Sequence, residues 1–241
     1  MSISRVMPES LLHDDTEEDL VGADWHQHAI VTIVTSLQAV AAEYDLPWHV
    51  GNQLPFICTK PDRSSWRPMP DVMLHSQAGA DERAEMSLGA DGLPDLIIEV
   101  ASPTTWKYDV DASWGKAWGY TQLGVANYLV FDPEGDLLGE ECRGWQRRAG
   151  VTAPWRPTND GRYHAIGLNI SLRAEGSLLR VFDQYGNPVA FPHETARELR
   201  TQKQMIHEQE QALLRREQEL SAQSDRIAEL EAELARLRCR E

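Results

Sequence analysis

The sequence is poor in cysteine and in positive charge, and it has no apolar run long enough to span a membrane. Three cysteines in 241 residues (Cys58, Cys142, Cys239) are too few and too scattered for a disulfide framework. No Cys-x-x-Cys pair suggests zinc. The first thirty residues carry Asp14, Asp15, Glu17, Glu18 and Asp19 rather than a basic segment followed by an apolar one. No membrane contact is therefore expected, and a reducing cytoplasm is the expected location. There is no Gly-x-Ser-x-Gly elbow, and Cys58 and Cys142 have no evident basic partner, which argues against a serine or cysteine hydrolase. No zinc-finger or helix-turn-helix pattern is present.

The shortage of basic residues is concentrated in the first four-fifths of the chain. Net charge is -15 overall; residues 1–192 hold 14 Lys+Arg against 27 Asp+Glu, a balance of -13, and residues 193–241 hold 9 against 11, a balance of -2. Such a surface does not bind polyphosphate indiscriminately. It is compatible with carboxylates gathered to hold a cation. Glycine and proline are both missing after Pro192, so nothing in the sequence interrupts a helix there.

What is present divides into an acidic N-terminus (residues 1–20), expected to be loose, an α/β domain (21–192) and a helical tail (193–241). Asp24 reads as an N-cap. Ile30, Val31, Ile33, Val34, Leu37, Val40 and Ala41 follow at helical spacing, predicting a helix of about 20 residues ended by Pro47. Trp48–Ile57 and Trp66–Leu74 read as two strands of a hairpin around the turn Asp62-Arg63-Ser64-Ser65. Residues 75–93 read as loop. Trp114, Ala117, Trp118 and Thr121 make a short amphipathic helix behind Asp109 and Asp111, closed by Gly124.

Asn127–Phe131 is another buried strand. A helix between two apolar strands predicts a crossover with those strands parallel. Short hairpin-like strands follow at Glu141–Arg147, Arg162–Ile166, Ile170–Arg173 and Leu178–Phe182, with proline-rich 154–157 read as surface loop. In the tail, Leu199, Ile206, Leu213, Leu220, Ile227 and Leu234 recur every seven residues. The second seam position holds Gln202, Gln209, Arg216 and Gln223 before Leu230 and Leu237. This is either a solvated single helix or a coiled coil through which the chain forms a homo-oligomer.

The chemistry centres on Pro94-Asp95-Leu96-Ile97-Ile98-Glu99-Val100-Ala101-Ser102-Pro103, an apolar strand carrying two acids. Burying a carboxylate costs several kcal/mol unless it is paired or bound to metal. Asp95 and Glu99 share one face but lie about 13 Å apart along a strand, too far to ligate one Mg²⁺ easily. Asp95 reads as a surface residue that starts the strand. Glu99 needs a partner from elsewhere: an arginine, or a cation shared with Asp71. Asp71 lies in a neighbouring apolar segment and is either an Asx-turn residue beside Pro70 or that second ligand. The carbonyl of Val100 offers a third oxygen. His26 and His28 point to different faces of the first helix and do not form a metal pair.

These residues carry a family resemblance. The central decapeptide, with Arg67-Pro68-Met69-Pro70-Asp71-Val72 before it and Tyr108-Asp109, Lys116, Tyr120, Leu123-Gly124-Val125-Ala126-Asn127-Tyr128 and Phe131-Asp132-Pro133 after it, resembles the Uma-two family of restriction endonucleases within the PD-(D/E)XK nuclease superfamily. The resemblance covers about residues 20–185. It implies an α/β fold, a restriction-endonuclease-like mixed β-sheet flanked by helices, with Mg²⁺ (or Mn²⁺) held by Asp71, Glu99 and Val100 and with DNA as substrate.

The superfamily lysine belongs two residues after the second acid, where this chain has Ala101. In the resembling family the lysine is supplied by the following helix, which points to Lys116, one turn before Tyr120; Lys107 is the alternative. Asp71, Glu99 and Lys116 are thus the expected catalytic set of a metal-dependent endonuclease. A nuclease-fold binding or scaffold module that no longer cuts, and that oligomerises through its tail, is the rival reading.

Overall fold

The apolar stripe between Ile30 and Val40 forms one face of α1 (Asp24–Glu43), whose Ala29, Ile30, Ile33, Leu37 and Val40 are buried. The chain leaves this helix through Asp45, which has φ 50°, and the Leu46 amide closes back on the Ala41 carbonyl at 2.9 Å, just before Pro47. The structure, a computed structural model, describes residues 24–59 and 64–238. The loose acidic N-terminus expected for 1–20 lies outside them, as does part of the expected turn at 62–65.

The remaining elements follow in order: β1 (His49–Asn52), β2 (Phe56–Thr59), β3 (Ser65–Trp66), β4 (Val72–His75), β5 (Met86–Ser87), α2 (Leu88–Asp91), β6 (Leu96–Val100), α3 (Trp106–Val110), α4 (Lys116–Leu123), β7 (Asn127–Phe131), β8 (Cys142–Arg148), β9 (Val151–Trp155), β10 (Tyr163–His164), β11 (Ser171–Glu175), β12 (Leu178–Phe182) and α5 (Pro192–Arg238). Six strands form a mixed sheet in the order β1-β4-β6-β7-β8-β9. The pair β6/β7 is parallel, as the crossover predicts, and its neighbours are antiparallel.

Several departures from the expected strands have local causes. Each arm of the expected hairpin is broken in two. β1 pairs with β4 in the main sheet, whereas β2 pairs with β3 and β5 in a separate small sheet. The break in the first arm falls at Gln53-Leu54-Pro55 and in the second at Pro68-Met69-Pro70, where proline removes ladder donors. Residues 75–93, expected as loop, contain β5 and α2. Pro154, expected in a surface loop, lies within β9, opposite Trp145. It is tolerated because β9 is the edge strand of its sheet.

Both faces of the central strands are covered, which is why they read as continuous apolar runs. Leu96, Ile98, Val100, Leu129 and Phe131 pack toward α1 and the β10-β11-β12 sheet. Ile97, Tyr128, Val130 and Met73 pack on the opposite face with Phe56, Trp66, Ala117 and Tyr120. Glu99 emerges on this second face, beneath α4.

The chain divides into two compact units at Phe191/Pro192. The second contains α5, 47 residues long, or about 70 Å at 1.5 Å per residue. Leu199, Ile206, Leu213, Leu220 and Ile227, the repeating apolar positions, are each at least half exposed on it. Among the described residues no helix is long and apolar enough to cross a membrane.

Candidate metal and active site

Glu99 is 1% exposed, near the end of the central strand, and Asp71 is 9% exposed, one residue before β4 begins. The antiparallel register Val72↔Ile98 brings these two acids side by side. Each is tied to a backbone amide across the gap between them. Asp71 Oδ2 accepts from the Val100 amide at 2.8 Å, and Glu99 Oε2 accepts from the Asp71 amide at 3.3 Å. Asp71 is therefore neither an isolated Asx-turn residue nor part of the strand itself; it occupies the sheet margin where the ladder has just ended.

Three other elements close around the pair. His26 of α1 places Nε2 2.9 Å from the Val100 carbonyl and 3.5 Å from Asp71 Oδ2. Burial alone would lower the imidazole pKa, but the hydrogen bond to Asp71 and its charge outweigh that and hold it above the ordinary value. His28 is exposed. From the β1–β2 junction, Gln53 directs Nε2 toward Asp71 Oδ1 at 3.4 Å, and its amide donates to the Asp71 carbonyl at 3.2 Å. Gln53 has φ 46°, a backbone conformation that non-glycine residues seldom adopt, at a cost of about 1–2 kcal/mol.

α4 supplies the ammonium. Lys116 Nζ lies 3.4 Å from Glu99 Oε2 and 3.3 Å from Asp109 Oδ1, and the lysine is 5% exposed. One turn on, the Tyr120 hydroxyl donates to Glu99 Oε1 at 3.4 Å. The first turn of α4 can approach this closely because its N-cap is Gly115: a Cβ there would sit 2.0 Å from the Tyr108 carbonyl oxygen. Lys107, the alternative cation, instead lies over the Trp106 ring, 5.6 Å from its centroid.

Asp109 was not singled out by the sequence, where it reads as a polar residue ahead of a helix. It is 1% exposed, and its Oδ2 accepts from Thr105 Oγ1 at 3.0 Å. Burial pushes its carboxyl up to about 6; the Lys116 charge opposes the rise and the Asp71 charge adds to it. The Tyr128 hydroxyl fixes this segment by donating to the Asp109 carbonyl at 2.8 Å. No regular spacing relates Asp109 to Asp71 or Glu99 in the sequence; the signal that could have found it is Tyr108-Asp109, which falls within the family pattern. Asp95 stands apart: its Oδ2 accepts from the Ser76 amide at 2.7 Å and anchors the turn after β4.

Among the described residues, no three His, Cys, Asp or Glu side chains form a metal-binding group. The available donors are two carboxylates and one carbonyl, all oxygens, which suits Mg²⁺ or Mn²⁺, ions that keep much of their water. Among the described residues, Asp71 Oδ1 receives only the long Gln53 contact described above. The Val100 carbonyl has two lone pairs, of which His26 takes one. Three buried carboxylates (Asp71, Glu99, Asp109) face one lysine and one histidine. The donor chemistry and this surplus of acid fit a divalent cation.

A mixed sheet flanked by helices, with two acids at the margin of adjacent strands and a lysine over them from α4, defines a restriction-endonuclease-like α/β fold. The family model Uma2, described as "Putative restriction endonuclease", matches residues 15–154, and the chain belongs to that family. A crystal structure from Anabaena variabilis, described as that of "a putative nuclease", is similar at 15% identity, covering 56% of this chain and 68% of that one with a TM-score of 0.36. No curated protein matches the chain.

Proposed function

We propose that this protein is a Mg²⁺- or Mn²⁺-dependent endonuclease that hydrolyses DNA phosphodiester bonds. The observation that carries the reading is the ammonium of Lys116 within 3.4 Å of Glu99, the acid that Asp71 touches from the neighbouring strand. Family membership supports the reaction class and the substrate.

Asp71, Glu99 and the Val100 carbonyl would hold the ion. When bound, the ion polarises the scissile phosphate and makes its water more acidic. Lys116 orients the attacking water and stabilises charge developing on the phosphate oxygens. Asp109 and Glu99 fix that ammonium from two sides, so its position does not depend on the residue two after Glu99, which is Ala101. His26 holds the Val100 carbonyl and Asp71 in register, and Tyr120 orients Glu99. In the same reading, the tail associates copies of the chain through its heptad stripe.

Nicking of supercoiled plasmid with Mg²⁺ or Mn²⁺, wild type beside Glu99→Gln, tests the function. Cleavage by wild type and its loss of at least about 100-fold in the variant is the expected outcome. Equal cleavage by both removes Glu99 from the chemistry. Calorimetric Mn²⁺ titration with unchanged affinity in the folded variant removes its metal role.

A further inference from the structure

The 47-residue α5 leaves Leu199, Ile206, Leu213, Leu220 and Ile227 in solvent, and the residues flanking that stripe encode an orientation. With Leu199 at position a, the a layers are Leu199, Ile206, Leu213, Leu220, Ile227 and Leu234; the d layers are Gln202, Gln209, Arg216, Gln223, Leu230 and Leu237. An antiparallel pair stacks a against d. Leu213, Leu220 and Ile227 would then face Gln223, Arg216 and Gln209. A parallel pair stacks a on a and d on d, so apolar layers meet apolar layers.

The flanks then select the register. In a parallel pair, each g residue faces the e residue five positions on in the other strand. Glu198 meets Lys203, Arg226 meets Glu231 and Glu233 meets Arg238 of a second copy. The other g positions meet across neutral partners: Met205 with Glu210, Ala212 with Glu217, Glu219 with Ser224. No like charges oppose along these flanks; in the seam, one layer sets Arg216 against Arg216. Slipping one strand by a heptad replaces these attractions with Glu198 against Glu210, Glu219 against Glu231 and Arg226 against Arg238 along one flank. The other flank then opposes Glu219 to Glu217 and Glu233 to Glu231.

We infer that a second copy of this chain occupies the stripe as a parallel, in-register two-stranded coiled coil. The inference rests on the self-association reading above and adds its direction, register and number of strands.

The test uses the full chain in a Cys239→Ser background. Leu199 lies at a and is exposed, so Leu199→Cys should not disturb folding. Mild oxidation is expected to give a covalent dimer of this variant, because the two thiols face each other only in the parallel register. In an antiparallel pair centred on the tail they would be about 50 Å apart. Lys203→Glu should weaken dimerisation about tenfold, and Glu198→Lys/Lys203→Glu should restore it.

Light scattering that finds a monomer overturns both the association and its geometry. A dimer in which Leu199→Cys crosslinks only to Leu237→Cys on a mixed partner retains the association and overturns the parallel register. A trimer or larger assembly overturns the two-stranded assignment alone.

Discussion

Lys116 Nζ lies 3.3 Å from Asp109 Oδ1, and both side chains are almost entirely buried. The sequence separates them by seven positions, across the corner between α3 and α4. Glu99 contacts the same ammonium from the central strand. Lysine is thus placed by two carboxylates rather than by a strand of its own; the position two residues after Glu99 holds Ala101.

The two lysines should separate cleanly on substitution. Lys116→Met is expected to reduce plasmid cleavage by about 100-fold or more while leaving Mn²⁺ affinity within a few-fold of wild type. Lys107→Ala should cleave like wild type, since that ammonium lies over Trp106. Cleavage assays on both variants, with Mn²⁺ titration of the first, would reverse the assignment if Lys107→Ala were the inactive one.

Asp109 sets a pH dependence. Its folded pKa is raised from 3.8 to about 6, first by burial, against the opposing charge of Lys116. A group raised on folding contributes stability that is complete below its unfolded value and is lost as pH rises through the folded one. Stability should therefore fall between about pH 4 and pH 6, by on the order of 3 kcal/mol from this group. Denaturant unfolding across that window should show a flatter profile for Asp109→Asn. Identical profiles in the two proteins would locate the titration elsewhere.

Gly115 permits the approach of α4 to Tyr108. Gly115→Ala puts a methyl into the Tyr108 carbonyl and should cost about 1–3 kcal/mol as the helix backs away. Since α4 carries Lys116 and Tyr120, cleavage should fall more steeply than stability. Thermal unfolding alongside nicking checks this; full activity with lowered stability would mean that the ammonium follows the helix without loss.

Removing residues 193–241 should leave a folded protein of lower association state, because the division at Phe191/Pro192 leaves the first unit's core intact. Light scattering on both forms reads the change, and a monomer in each would eliminate the tail as the association element.

Spacing marked Glu99 as a buried acid in need of a partner, whereas Lys116 came from the family resemblance. A buried apolar run with an acid at position 99 demanded a partner, and proline-flanked Asp71 was the nearest acid in a second apolar segment. The parallel pairing of β6 and β7 followed from the intervening helix, and Gly124 ended that helix with φ 104° as expected. What escaped was set by distant contacts. His26 and His28 differ by two positions in one helix, and only the direction of packing decides that the first meets Val100. Asp109 resembles any acid near a helix start until Lys116 and Tyr128 close over it. The division of the two hairpin arms between sheets depends on which partner each half finds, a choice that local propensity does not encode.

The backbone bonds of Asp71 and Glu99 have a consequence for the newly made chain. Each acid is held by the amide that the other's strand presents, so neither is in place until β4 and β6 have paired in their final register. A slip of one residue would turn one acid to the opposite face of the sheet. Under the proposed activity, a half-finished chain carries the candidate site residues but not the centre they would form.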